Sequence, residues 1–382
     1  MKRSLIIITI LTLVLLCFVF SVTNKEEEGK INLRFNSNYR GDTVTKQKTG
    51  LLWALSYLGA ELPKNSFEKA LVHKEAGVYE LDINRLGFNA TAVKALKKIF
   101  NELKASEEYK MMGGIDLGAF IVYTAGSSWH YYEITGAAAN FNEYRQRFDN
   151  DYKEVFPVVN SAVAKHHRLL KMRGSSEVQK MSFIAEEGSG DLAEGTFVAE
   201  AYEVFDIMKN GQLKFAIYDS KGELKAASEK KYGNAGKPIK CMWCHEIYIE
   251  PLFYNNEAVK NFISPAEFQE IVRIRMDTLK AYRARLNSDV DFTKTQDHTF
   301  MEILYMSFME PSDYKLSQEW GKSEQYIGAQ LGDLKRHAHR EHLFLNKLVL
   351  RGSIKGLSPY VTVNLPDSVW EENNAEPDIF RK

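Results

Sequence analysis

Cysteine is scarce in this chain: three residues in 382, at Cys17, Cys241 and Cys244. A disulfide-stapled framework needs more of them, spread along the sequence. An excess of either charge is also lacking, with 50 Lys plus Arg against 50 Asp plus Glu. A nucleic-acid partner normally leaves a basic excess, so none is expected. There is no internal repeat and no low-complexity tract. With 45% hydrophobic and 26% charged residues, the composition is that of a globular protein, long enough for two or three domains.

The N-terminus has the layout of an export signal. Lys2 and Arg3 precede an uncharged apolar run from Leu5 to Val22, and a charged stretch from Lys25 to Glu28 follows. Val19 and Ser21 suit a cleavage point after Ser21. The same run is near the lower length limit for a membrane span, so residues 1–22 are read as a signal peptide or an N-terminal membrane anchor. Either way the basic end stays inside and the rest of the chain is exported, to the periplasm or cell envelope. Cys17 sits within the run after Leu16, which is not the small residue a lipidation signal wants. Cys241 and Cys244 are then the only cysteines of the exported part.

Pattern divides that part into segments. Residues 31–155 read as a helical domain whose role the sequence leaves open. Thr45 to Leu58 has helical spacing closed by Gly59, and Asn89 can cap a helix running to about Tyr109. The aromatic stretch Ile115 to Gly136 reads as core. Residues 156–235 read as β-rich. Leu213, Phe215 and Ile217 alternate against Glu203, Phe205 and Ile207 across Asn210-Gly211, a strong hairpin signal. Residues 236–350 read as helical again, with an S-x-x-E capping box at Ser264, Phe300 to Met309 stopped by Pro311, and a long helix from Ser323 to about Leu350. Residues 351–382 read as an irregular tail. The expected fold class is α+β, predominantly helical, with a small antiparallel β-meander before residue 240.

After the meander comes KCMWCHE, Lys240 to Glu246. C-x-x-C-H in an exported chain reads as covalent haem attachment. On a helical turn, residues three and four apart share a face. Cys241 and Cys244 can then both reach the haem vinyl groups, with His245 directed at the iron as proximal ligand. Zinc would want a fourth ligand from elsewhere, and a thioredoxin-like pair would want a βαβ setting. A Cys241–Cys244 disulfide is the remaining non-haem alternative, in an envelope binding or scaffold protein.

Cys241, Cys244 and His245 resemble the attachment motif of the c-type cytochromes in order and spacing. The β-meander before the motif is similar to the β-sheet cytochromes of the P460 and c′-beta type. No Met-Pro distal loop of the small class I cytochromes is present, and the single CxxCH sets the chain apart from dihaem peroxidases. The resemblance implies one covalent haem c, one-electron transfer and a redox partner protein. An open sixth iron position would instead imply a haem enzyme or ligand sensor.

For the sixth ligand the candidates are His342 and Met301. On the expected helix from Ser323, His342 lies closest to the apolar face formed by Ile327, Leu331, Leu334, Ala338, Leu345 and Val349. Met301 sits nearest Phe300, Leu304 and Phe308, where a methionine more often fills core.

Overall fold

The computed structural model describes residues 28–75, 77–148, 152, 154–159, 161, 167–174, 176–249, 257–366, 369 and 376–381. The N-terminal segment 1–22, with Cys17, lies outside them. The fold is α+β, with 43% of residues helical and 20% in strands. Among the described residues, no helix is long and apolar enough to cross a membrane.

Four short strands, β1 (Lys30–Arg34), β2 (Leu71–Glu75), β3 (Val78–Asp82) and β4 (Ile115–Asp116), form a sheet of order β2-β3-β1-β4. The segment 31–155, read as helical, thus also carries a sheet. Its strands escape sequence reading for a physical reason. In β2 four exposed residues follow Leu71, so no alternation exists, and β4 is only two residues long. Their pairing is set at long range, with Leu33 opposite Tyr79 on one side and opposite Ile115 on the other.

Helix α1 (Val44–Tyr57) is the helix expected over Thr45–Leu58. The helix α2 (Ala90–Ala105) starts where Asn89 Oδ1 accepts from Ala92 N at 2.9 Å. It stops before Tyr109, because Ser106 turns the chain and caps a second short helix, Glu107–Met112. The aromatic stretch 115–136 contains α3 (Ser128–Thr135) and is buried almost throughout. His130 within it is a satisfied core histidine: Nδ1 lies 2.6 Å from Tyr123 O, and Nε2 accepts from Ile379 N.

Five strands in unbroken order then make the meander: β5 (Glu154–Val158), β6 (Arg168–Arg173), β7 (Ser182–Ser189), β8 (Val198–Ile207) and β9 (Leu213–Asp219). All neighbours pair antiparallel. At the Asn210-Gly211 turn only Gly211 takes a positive φ, +79°, and its N–H donates to Met208 O. The loop is therefore of the longer type with a single left-handed glycine. Asn210 serves a different purpose. Its Nδ2 donates to Ser56 O and Ala60 O, both at 2.8 Å, and ties the hairpin to the end of α1.

Helix α4 (Pro238–His245) carries the CxxCH motif. Next is α5 (Pro265–Arg283), with both halves of the Ser264–Glu267 capping box formed. Then follow α6 (Thr299–Met309), α7 (Asp313–Trp320) and α8 (Glu324–Leu331). The single helix expected from Ser323 to about Leu350 does not form. Ser323 does cap α8, but the helix ends at Leu331, Gly332 takes a positive φ of 39°, and the chain turns back as β10 (His337–Ala338) paired with β11 (Lys347–Leu348). The helical spacing beyond Gly332 is a coincidence, since Leu345 and Leu348 are buried against Ile303 of α6 from this hairpin.

One hydrophobic cluster runs from Ile31 to Ile379 and takes in α1, α3, the meander and α4, so the segments 31–155, 156–235 and 236–350 share a core. Buried tyrosines of the N-terminal region reach into the meander: Tyr131 Oη accepts from Phe215 N at 3.2 Å, and Tyr144 Oη donates to Phe205 O at 3.1 Å. The tail, read as irregular, begins with a 3-10 turn (Arg351–Leu357), and its other described residues form no helix or strand; Ile354, Tyr360 and Ile379 are buried.

Candidate haem-attachment site

Proline at the first helical position suits the start of α4, where an N–H would be unpaired anyway. Ile239, Met242 and Trp243 anchor one side of the helix in the core. Cys241 and Cys244, three apart, and His245 come to the other side, half-buried or exposed. The helix ends abruptly. Glu246, directly after His245, takes φ +51° and ψ −109°, a conformation that costs a non-glycine residue about 1–3 kcal/mol. Its carbonyl is held by the buried hydroxyl of Tyr57 on α1, which donates at 2.5 Å. Ile247 O accepts from Arg283 of α5 at 2.6 Å. Two distant helices thus fix the backbone that aims His245.

The three motif residues border a cavity of about 340 Å³. Its floor is one face of the meander, and the strand register orders that face into rows. Met172, Phe183, Phe205 and Phe215 stand opposite one another across β6, β7, β8 and β9. Leu170, Ala185, Glu203 and Ile217 form the next row. Arg168 begins a third, opposite Glu187. Alternation within each strand, combined with antiparallel register, produces an aromatic band grading into a charged edge. The His245 ring lies over the aromatic band, 5.4 Å from the Phe205 ring and 5.7 Å from Phe215. At the charged edge Arg168 is ion-paired with Glu187 and Glu203. Phe268 and Val272 of α5 close the cavity from the other side.

Electrostatics keep the histidine neutral. Burial, with the Arg168 guanidinium in support, pulls His245 down to about 4, against a smaller opposing effect of the Tyr248 backbone. Neutral imidazole is the form that binds metal. His245 Nδ1 is buried without a hydrogen bond among the described residues.

Both thiols are free. Burial pushes Cys241 well up, with Glu203 adding to it, and burial also raises Cys244, helped by Glu302 and Glu341 against Lys240. An activated redox pair shows the opposite shift and sits at a helix N-terminus; these cysteines occupy the fourth and seventh positions of α4, and their thiols stay protonated. A zinc site would likewise want thiolates, and apart from His245 no further His or Cys borders the cavity among the described residues.

The structure brings Cys241, Cys244 and His245 together on one cavity. It does not bring His342 or Met301 there. Met301 is fully buried in α6, and His342 lies in the β10–β11 loop beside Glu302; neither lines the cavity. Residues the sequence reading missed are Met172, Arg168 and Glu203. The alternation Arg168, Leu170, Met172 was a usable signal, masked by the apolar Leu169 between them.

Compared with protein-family models, with curated proteins and with solved structures, the chain matches none.

Proposed function

We propose that this chain is an exported monohaem c protein acting in one-electron transfer with a redox partner protein, delivered by residues 1–22 as signal peptide or anchor. The observation that carries the reading is the placement of Cys241, Cys244 and His245 on the rim of one cavity with an aromatic floor. The residues suit the group. The row of Met172, Phe183, Phe205 and Phe215 would give a porphyrin an apolar surface, and Cys241 and Cys244 would hold it by adding S–H across its two vinyl groups, each forming one C–S and one C–H bond. His245, neutral and braced through Glu246 and Ile247, would ligate the iron. Bound haem c would supply a one-electron iron couple.

A second reading, a haem enzyme or ligand sensor with an open sixth position, draws on one observation. Among the described residues no histidine other than His245 lines the cavity, so only the Met172 sulfur is left there as a soft donor to close that position. The test is expression with a cytochrome c maturation system, followed by a denaturing-gel haem stain and oxidised and reduced spectra. Covalent haem is expected, lost in Cys241→Ser/Cys244→Ser. A six-coordinate Met-type spectrum that disappears in Met172→Leu supports the electron carrier; a five-coordinate spectrum supports the second reading. Absence of covalent haem would sink both.

A further inference from the structure

The β10–β11 loop carries a second cluster. His342 there is 7% exposed, and its Nε2 is buried without a hydrogen bond. That nitrogen points at Glu302 Oε1 of α6, 3.5 Å away. One oxygen of the exposed Glu341 completes a set of three donor atoms lying within 4.8 Å of one another. Among the described residues neither carboxylate has a Lys or Arg partner. The spacing is informative. At 3.5 Å, His342 and Glu302 are too far apart for a sound hydrogen bond. Zinc bonds of about 2.0–2.2 Å place tetrahedral ligand atoms roughly 3.3–3.6 Å apart. His339 shapes the loop for this arrangement: its ring stacks on His342 at 4.8 Å and 12°, and its Nδ1 accepts from the N–H groups of Glu341 and His342.

The geometry points to a binding site for a borderline divalent cation, Zn²⁺ foremost, held by Glu302, Glu341 and His342. One imidazole and two carboxylates with a fourth position left to water is a donor set that suits zinc. The cation would neutralise the two carboxylates and clamp the β10–β11 loop onto α6. It would also stand near the attachment helix, because Glu302 and Glu341 both act on the Cys244 thiol. The site is separate from the haem cavity and stands independently of the haem reading.

The test is titration of the exported, chelator-stripped full chain with ZnCl2 by calorimetry, with bound metal counted after dialysis. One Zn²⁺ per chain is expected at micromolar or tighter affinity. Glu341→Gln and His342→Ala should each weaken it by at least about tenfold, the loss that even an outer-shell partner typically causes. Glu341→Gln changes an exposed residue and leaves the fold intact, so it remains informative if His342→Ala unfolds. Cys241→Ser/Cys244→Ser should bind zinc unchanged. The proposal is overturned by no binding at micromolar zinc, by affinity unchanged in Glu341→Gln, or by binding that vanishes with the cysteines.

Discussion

Protonation of His245 offers a direct handle on the site. In the unloaded protein its pKa is about 4 in the folded state, against about 6.5 for an unhindered histidine. The unfolded chain therefore binds the extra proton over the window between those values. Stability contributed by the neutral, half-buried ring is fully present above about pH 6.5 and is lost as pH falls toward 4. At pH 4 the loss amounts to about 3 kcal/mol, from 1.36 kcal/mol per pKa unit. Other groups titrate in the same range, so the informative quantity is a difference. Urea unfolding of the wild type and of His245→Gln, both made without haem maturation, should be compared at pH 7, 6, 5 and 4. The wild type should lose about 3 kcal/mol more than the variant across that span. In protein carrying haem, iron would occupy the ring and the difference should vanish. A wild-type-minus-variant difference that stays flat from pH 7 to 4 in protein without haem would refute the neutral state of His245.

Two further perturbations test the framework around the site. Tyr57→Phe removes the hydroxyl that holds Glu246 O and leaves a partly buried carbonyl unpaired, so a loss of about 1 kcal/mol in urea unfolding is expected, together with a changed reduced spectrum if haem is bound; an unchanged spectrum would mean that the brace does not orient His245. Lys315 and Asp116 form a fully buried ion pair at 2.8 Å, where burial works against the Asp116 carboxylate but Lys315 and Arg34 outweigh it and hold it below the usual range. Lys315→Met strands that charge and should cost about 3–5 kcal/mol, read as a lowered urea midpoint; a change below about 1 kcal/mol would show that Arg34 alone suffices.

What could be read from the residues was local. The caps at Asn89, Ser264 and Ser323 formed as expected because each joins a side chain to a backbone N–H three residues on. The meander was legible from β8 and β9 because their residues alternate across a turn that only a glycine closes without strain. The β2 strand was not, because Leu71 alone of its five residues is buried. The helix drawn through Ser323 to Leu350 failed since apolar spacing cannot tell a helix face from residues that reach the same core by a turn at Gly332.

For the candidate site the division is similar. The C-x-x-C-H motif is a matter of chain order, since steps of three and four residues along a helix suffice to put Cys241, Cys244 and His245 on one side. The α+β class follows from periodicity and turn chemistry in the same way. What faces those residues is fixed by packing. The row from Met172 to Phe215 exists through strand register, the Tyr57 brace joins residues far apart in the chain, and His342 meets Glu302 instead of the cavity. Such contacts depend on which surfaces come together, and that is a property of the whole core rather than of any stretch of sequence.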